Sequence, residues 1–506
     1  MTTTSHRFDL TTFAARLPIV PLSIFLSCLF SLVVILQNPL LNDDAYGYLR
    51  AAEVFNTDGA RAVLESFGWY HYSILIALLD HVVPGDLVVA AHVFNTALYA
   101  LLTYAFLMLS RELRATPRAQ FFAALCILVL PLTNEMRYFL IRDTGFWAFA
   151  ILSLVYLVRF TRSGEPRRAA QWSFALAVAT AFRLEALLLM ALVPWTLLLD
   201  PAMPLQVRAQ RCGQLVGVLA ALVAAILVVS LLAGISLPEL IAYAYRWYLP
   251  LLAELPELLK AMAGDVGAAL FTPDNYPGSD HTAIGVIVAL FAYALALVMN
   301  LMNALSLPLA LILVSAWLSV GRPALEPSAG RMLRAYIAVA AFALLLFVVI
   351  MQFLTQRYAT LLTLLVLALL PPALDDLYGR VRNPRRFFGW LGFLVFYYVV
   401  DSLVSFGYSQ THVEEGIAWA RAELPAGTDV KTNNFAIAYR SGHVTEYHVT
   451  QRDAEAVAAS SASGDVLILE VDHDRSVSFV DTNPALLELA RFVNERGDEV
   501  RIYRHQ

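Results

Sequence analysis

Long apolar stretches separated by short arginine-bearing turns dominate the first four-fifths of this 506-residue chain. The first runs from Leu17 to Leu36 without a charge, long enough at about 1.5 Å per residue to cross a hydrocarbon core of roughly 30 Å. Arg7 and Arg16 precede it, the order expected of a retained signal anchor with a cytoplasmic N-terminus. Further apolar segments lie near 87–109, 119–132, 145–160, 170–182, 184–199, 214–233, 283–320, 335–354, 358–374 and 387–406.

The pattern changes at residue 410. From there to the end the chain is charge-rich, and its periodicity predicts a helix (Val413–Leu424), an extended stretch near Ala436–Tyr439 and a buried strand (Val466–Val471). A second helix (Pro484–Asn494) and a last strand near Val500–Tyr503 follow. The expectation is a polytopic α-helical membrane protein over 1–406, with about 11–13 transmembrane helices, and a small C-terminal α/β soluble domain over 407–506.

Composition agrees. Hydrophobic residues make up 59% of the chain and charged residues 15%, with a mean hydropathy of +0.64. Soluble globular chains run at about 25% charged, so a cytosolic enzyme, a secreted disulfide scaffold and a disordered protein are excluded. A net charge of −5 provides no basic field for nucleic acid. Cys28, Cys126 and Cys212 are far apart and supply neither a disulfide framework nor a metal motif.

Arginines sort the turns. Those at 111–118, 159–168, 208–211, 322–334 and 380–386 mark the cytoplasmic side. The opposite loops are then 38–86, 133–144, 234–282 and 355–357, followed by the tail. Segment 283–320 is too long for one simple span and carries Asn300, Asn303 and Pro308. Two full crossings there would turn the later arginine-rich turns outward, so a single net crossing is expected. The C-terminal domain then shares the outer side with loop 38–86, on an inner-membrane protein.

Four polar clusters fall on that side. Asp43 and Asp44 follow the first span directly, either as first-turn acids of a short interfacial helix running to about Phe55, capped by Asn42 or Asp43, or as a cavity-facing base or metal ligand. Arg142 and Asp143 open the segment at 145–160. Arg183 and Glu185 sit in the turn of a short apolar hairpin, as a site or as an ordinary charge pair. Gln356, Arg357 and Tyr358 open a late span. Tyr70 and His71 lie in an aromatic stretch, where His71 is either an interfacial histidine or a metal or pyrophosphate contact. Arg246, with Tyr243, Trp247 and Tyr248, lies in loop 234–282, a candidate lid or interfacial anchor.

In order and sidedness these motifs resemble the C-type (GT-C) glycosyltransferases, the group that includes protein O-mannosyltransferases and bacterial aminoarabinose transferases. The resemblance rests on Asn42–Ala52 (NDDAYGYLRAA), Trp69–Tyr72, Arg142–Phe149 (RDTGFWAF), Phe182–Leu187 (FRLEAL) and Gln356–Pro372 (QRYATLLTLLVLALLPP), and spans roughly residues 1–406. The chain departs from relatives in having Asp43-Asp44 where Asp-Glu is common. It also lacks a Pro-Pro pair near Trp69–Tyr72 and has Arg183 near a lysine position.

What the resemblance implies is inverting transfer of a sugar from a polyprenyl-phosphate donor to an extracytoplasmic glycan, lipid or protein acceptor. Asp43 is then the preferred general base, with Asp44 next, and Asp143 positions the acceptor. Arg142, Arg183 and Arg357 bind the donor phosphate, while His71, Tyr70, Tyr358 and Arg246 contact substrate. A divalent metal ion is a candidate cofactor, with Asp43, Asp143 or His71 as ligands. The competing readings are a secondary transporter or lipid flippase, which would place its polar residues at mid-membrane on broken helices within repeats, and a non-catalytic assembly subunit.

Overall fold

A computed structural model describes residues 10–67, 70–232, 255–270, 282–321, 323–404, 410–443, 453–474 and 482–506, with isolated positions at 234, 236–239, 241–242, 253 and 480. The membrane part is helical throughout. Among the described residues eight helices are long and apolar enough to cross a membrane: Ile19–Gln37, Leu87–Leu113, Asp143–Ser163, Leu205–Leu232, Ile284–Leu305, Pro327–Met351, Gln356–Arg380 and Pro384–Leu403. Three shorter helices, Pro117–Val129, Pro166–Phe182 and Ala186–Thr196, run between the same two ends. Eight candidate spans among the described residues are fewer than the about 11–13 expected, because the segments at 119–132, 170–182 and 184–199 form only these shorter helices.

Local chemistry sets the starts and stops. Pro117, Pro166, Pro327 and Pro384 each occupy the first helical turn, where a missing N–H costs nothing. Thr116 and Glu326 accept hydrogen bonds from the N–H groups of Ala119 and Ala329. Gly164 ends the helix from Asp143 at φ +70°, a conformation costly for any residue with a Cβ.

The helix Asp143–Ser163 is the axis of the bundle. It is about 30 Å long and 78% buried, second to the 83% of Gln356–Arg380, against 6% for Leu205–Leu232 and 11% for Pro384–Leu403. The latter two turn Val229, Leu232, Trp390 and Phe396 outward, which only a lipid environment makes favourable. Midway along the axis, the Tyr336 hydroxyl joins Ser153 at 2.9 Å and receives the Trp172 indole N–H at 2.8 Å. Aromatic bulk is thereby buried without orphaned polar atoms.

Ion pairs gather at one end of this axis. Arg159 and Arg162 hold Glu112, and Arg162 also reaches Glu326. The fully buried Asp375 is gripped by Arg114 at 2.8 Å and Arg118 at 2.6 Å, and Arg331 reaches Asp200 at 2.9 Å. This end gathers the arginines that the sequence assigns to cytoplasmic turns.

Segment 283–320 divides at Ser306, whose φ of +62° separates Thr282–Leu305 from Leu307–Val320. The first helix packs along Gln356–Leu367 and the second along Leu370–Arg380. The latter pair is a single path that bends near Ala368 and leads from Arg357 to Asp375. Thr282–Leu305 and Leu307–Val320 thus accompany successive halves of that path.

The C-terminal unit is a four-stranded sheet in the order β1 (Val430–Thr432), β2 (Val466–Val471), β4 (Glu499–His505), β3 (Leu486–Val493). Strand β1 runs parallel to β2, and the other pairs are antiparallel. The helix Thr411–Glu423 and strands β2 and β4 fall where the sequence predicts them. Two expectations fail. Residues 484–494 form β3 rather than a helix, because the Asn494–Asp498 turn, with Gly497 at φ +95°, folds them back onto β4. Residues Phe435–Arg440 are helical rather than extended, because the Asn434 side chain accepts from the Ile437 N–H and caps the turn.

This unit sits at the end opposite the ion-pair networks. Leu40 and Tyr46 are buried together with Val413, Ile417, Val500 and Ile502, and the Tyr46 and Tyr439 rings lie 5.6 Å apart.

Candidate functional site

The stretch between Glu135 and Asp143 is not helical; its own Arg137 and two side chains remote in sequence, Asn95 and Asn42, hold it. Arg137, 1% exposed, donates to the Ser27 carbonyl (3.0 Å), the Ser27 and Ser31 hydroxyls (3.1 and 2.9 Å) and Asn134 (2.8 Å). Its guanidinium also lies over the Tyr99 ring. Asn95 donates to the carbonyls of Arg137 and Phe139. Asn42 does not cap the helix that follows it; its amide oxygen accepts from the Leu140 N–H at 2.9 Å. The helix beginning at Asp43 continues to Ser66, well past Phe55, with a kink at Gly59.

So held, the stretch delivers Asp143 fully buried at the first turn of the axial helix. Two arginines meet it there. Arg357 directs Nε (2.9 Å) and Nη2 (2.7 Å) at Oδ2, and its Nη1 reaches Asp44 at 2.5 Å. Arg183, at the end of helix Pro166–Phe182, bonds Asp143 Oδ1 and also holds Glu185, with Nε to Oε1 at 3.0 Å. Its guanidinium stacks 4.6 Å from the centroid of Tyr358, whose other neighbour is Phe347, 4.5 Å away. Asp44, Asp143, Arg183, Arg357 and Tyr358 thus converge from four separate segments.

Beside them lies a narrow cleft, about 490 Å³ with its open mouth included and only about 30 Å³ of free interior. Asp143, Arg183, Glu185 and Tyr358 form its polar part, and Phe146, Leu189, Leu344 and Leu361 are among its apolar walls. Electrostatically, two guanidinium groups are interleaved with three carboxylates, Asp44, Asp143 and Glu185, beside an apolar slot.

The other sequence candidates fall elsewhere. Asp43, one residue from Asp44, lines a different cavity against the C-terminal domain. Arg142 occupies the N-cap position next to Asp143. Tyr70 and His71 open the helix Tyr70–Asp80 with their rings 4.1 Å apart, and neither lines the Asp143 cavity. Arg246, with Tyr243, Trp247 and Tyr248, lies outside the described residues, as does Trp69. Among the described residues no group of three or more His, Cys, Asp or Glu side chains could hold a metal ion. Asp43, Asp143 and His71 are not brought together into one ligand set.

Two residues near the site lie within the sequence clusters but carry no role there: Tyr48, in the stretch Asn42–Ala52, and Arg137, which opens the polar cluster Arg137–Asp143. Tyr48 packs edge-on against Tyr72 at 5.0 Å, and burial pushes its hydroxyl above the ordinary value. Arg137 is the other. Its signal was weak because a serine spaced every four residues in an apolar span (Ser23, Ser27, Ser31) reads as filler until a partner faces it.

Comparison with known proteins adds the following. The chain is similar to ArnT from Cupriavidus metallidurans. Against the apo structure it has 15% identity and a TM-score of 0.37, covering 91% of this chain and 93% of that one. Against the structure bound to undecaprenyl phosphate it has 15% identity and a TM-score of 0.40, covering 96% and 97%. This is the aminoarabinose-transferase group that the sequence motifs resemble. No protein-family model and no curated protein matches the sequence.

Proposed function

We propose that the protein is a GT-C-type membrane glycosyltransferase that takes its sugar from a polyprenyl-phosphate carrier. One observation carries the proposal: Arg183 and Arg357 converge on Asp143, and Asp143 and Arg183 border a cleft whose other walls are largely apolar. Apolar walls suit lipid chemistry, and a guanidinium fork matches phosphate oxygens. With no donor bound, the Asp143 carboxylate is the anion that keeps both arginines in place.

The acidic pair then divides its work. Asp44 orients Arg357. Asp43, its neighbour about 3.8 Å away between Cα atoms, accepts the proton of the incoming acceptor hydroxyl. That oxygen bonds to the anomeric carbon as the bond from this carbon to the phosphate oxygen breaks, and the arginines stabilise the charge left on the phosphate.

Extraction and mass spectrometry of lipid from purified protein test this reading. Polyprenyl phosphate should co-purify with the native chain and be depleted at least tenfold in Arg357→Ala. Equal retention in both, or no such lipid in the native chain after incubation with it, would sink the donor assignment.

A further inference from the structure

A second, larger cavity, about 1560 Å³ including its open mouth, lies between the end of the first span and the C-terminal domain. Its membrane-side wall is residues 37–43 with Tyr46, Tyr138 and Phe139. Its other wall comes from Gln410, Thr411, Glu414, Asn434 and Glu470. Asp43 opens onto it while Asp44 faces Arg357, so the two adjacent carboxylates border two different cavities.

The lining is chemically one-sided. Three carboxylates, Asp43, Glu414 and Glu470, face this space, and none of its lining residues is basic. The nearby cation, Arg440, already holds both oxygens of Glu414. Glu470 takes the Asn434 amide at 2.6 Å through Oε2. Its Oε1 stands 3.8 Å from Nε2 of His412, a histidine 1% exposed with neither ring nitrogen hydrogen-bonded. Amides and carboxylates offer hydroxyl groups a dense set of acceptors and donors, and the aromatic faces of Tyr46, Tyr138 and Phe139 offer contact for sugar C–H surfaces. A phosphate would meet Asp43 and Glu470, with Glu414 already paired to Arg440, and no basic residue of the lining, an arrangement that disfavours it.

We propose that this cavity is the acceptor site and that it takes an uncharged or amine-bearing glycan, not a phosphorylated one. The proposal rests on the glycosyl-transfer reading above. Asp43, at the border, is the group that would meet the acceptor hydroxyl. The domain from residue 410 onward supplies the selectivity, because Glu414, Asn434 and Glu470 all belong to it.

Full-length protein in nanodiscs would be titrated with chitotriose, its fully de-N-acetylated form and a sugar phosphate, and binding read by saturation-transfer NMR. The blocking variants Thr411→Trp and Gln37→Trp come from opposite walls. The first two sugars should bind the native chain, the sugar phosphate should not, and both variants should weaken binding at least tenfold with an unchanged melting temperature. Binding by neither hydroxylated probe, preference for the sugar phosphate, or undiminished binding in a folded blocking variant would overturn the proposal. Polyprenyl-phosphate retention is measured on the same samples. Loss of lipid retention with glycan binding intact would count against the donor reading instead, and retained lipid with no glycan binding counts against this one alone.

Discussion

Arg357 closes two of its donors on one oxygen of Asp143, Nε at 2.9 Å and Nη2 at 2.7 Å, and extends the third nitrogen to Asp44, 313 positions earlier in the chain. The fork is therefore pre-aimed before any substrate arrives, which lowers the ordering cost of binding an anion there. Arg357→Ala should reduce donor use by one to two orders of magnitude, since a charge-assisted hydrogen bond contributes about 1.5–3 kcal/mol. Arg357→Lys keeps the charge and loses the fork, and should fall between the two. Donor concentration dependence in a reconstituted transfer assay separates the three; equal kinetics would reduce Arg357 to a membrane anchor.

Asp143 and Asp44 touch the same arginine and should respond differently. Asp143 is fully buried, while the Asp44 side chain is 46% exposed. Asp143→Asn leaves Arg183 and Arg357 facing each other in a low-dielectric site. The cost should be about 3 kcal/mol, the low end for a broken buried pair because Glu185 and Asp44 still partner the arginines. Asp44→Asn should cost less than about 1 kcal/mol. Asp43→Asn, altering only a first-turn charge, should be similarly mild for stability yet abolish transfer. Detergent unfolding curves beside turnover check all three.

Gly145 packs directly beneath Phe182, the residue before Arg183. A Cβ there would stand 2.5 Å from the ring carbons of Phe182, and that ring is stacked on Phe149 and Phe94, leaving little room to give. Gly145→Ala should destabilise by about 1–3 kcal/mol and also weaken donor use, because displacing Phe182 moves Arg183. A melting curve and donor kinetics identical to the native chain would show that the ring relocates freely.

Much of this arrangement was legible in the sequence. Asp44, Asp143, Arg183 and Arg357 each interrupt apolar sequence at a span end on one predicted side, and the structure brings all four together. What the sequence could not tell is which of two adjacent acids faces which cavity, since about 100° of helix rotation separates Asp43 from Asp44. Nor could it show that Asn42 and Asn95 hold the 137–140 stretch, because their partners are backbone atoms. Leu486, Leu487, Leu489, Ala490, Phe492 and Val493 satisfy helical and extended spacing alike. Only the turn at Gly497 and pairing with β4 decide for a strand.

That same turn carries a pH dependence. Asp498 accepts from the His473 N–H (3.1 Å), the His473 ring (3.0 Å) and the Asn494 amide (3.0 Å). Desolvation opposes its ionisation, but these bonds outweigh it and bring its carboxyl from 3.8 down to about 2. A folded value below the unfolded one means that the contribution is complete above about pH 4 and disappears as pH falls toward 2. Amide exchange at residues 494–499 should accelerate over that window, and Asp498→Asn should abolish the acid-dependent component. A flat profile in the native chain would show that the turn is held without the charge.

The sidedness of the domain from residue 410 decides whether it can reach an acceptor beside Asp43. Leu40 and Tyr46, just beyond the first span, are buried with Val413 and Ile417 of that domain, and Tyr439 lies against Tyr46. Burial among these groups and the Leu41 N–H, which donates to the phenol, together leave the Tyr46 hydroxyl near 12, with burial the larger effect. Leu40, Tyr46, Val413 and Ile417 therefore form an apolar patch beside the acidic cavity, suited to permanent contact. If Thr282–Val320 makes one net passage, as the charge pattern predicts, the last span, Pro384–Leu403, returns to the end where Asp44 and Asp143 meet. A compartment-specific reporter fused after Gln506 and a second inserted near Asn56 should give the same side. Opposite sides would mean that 283–320 crosses twice, separating the C-terminal domain from Asp43 and removing the acceptor cavity with it.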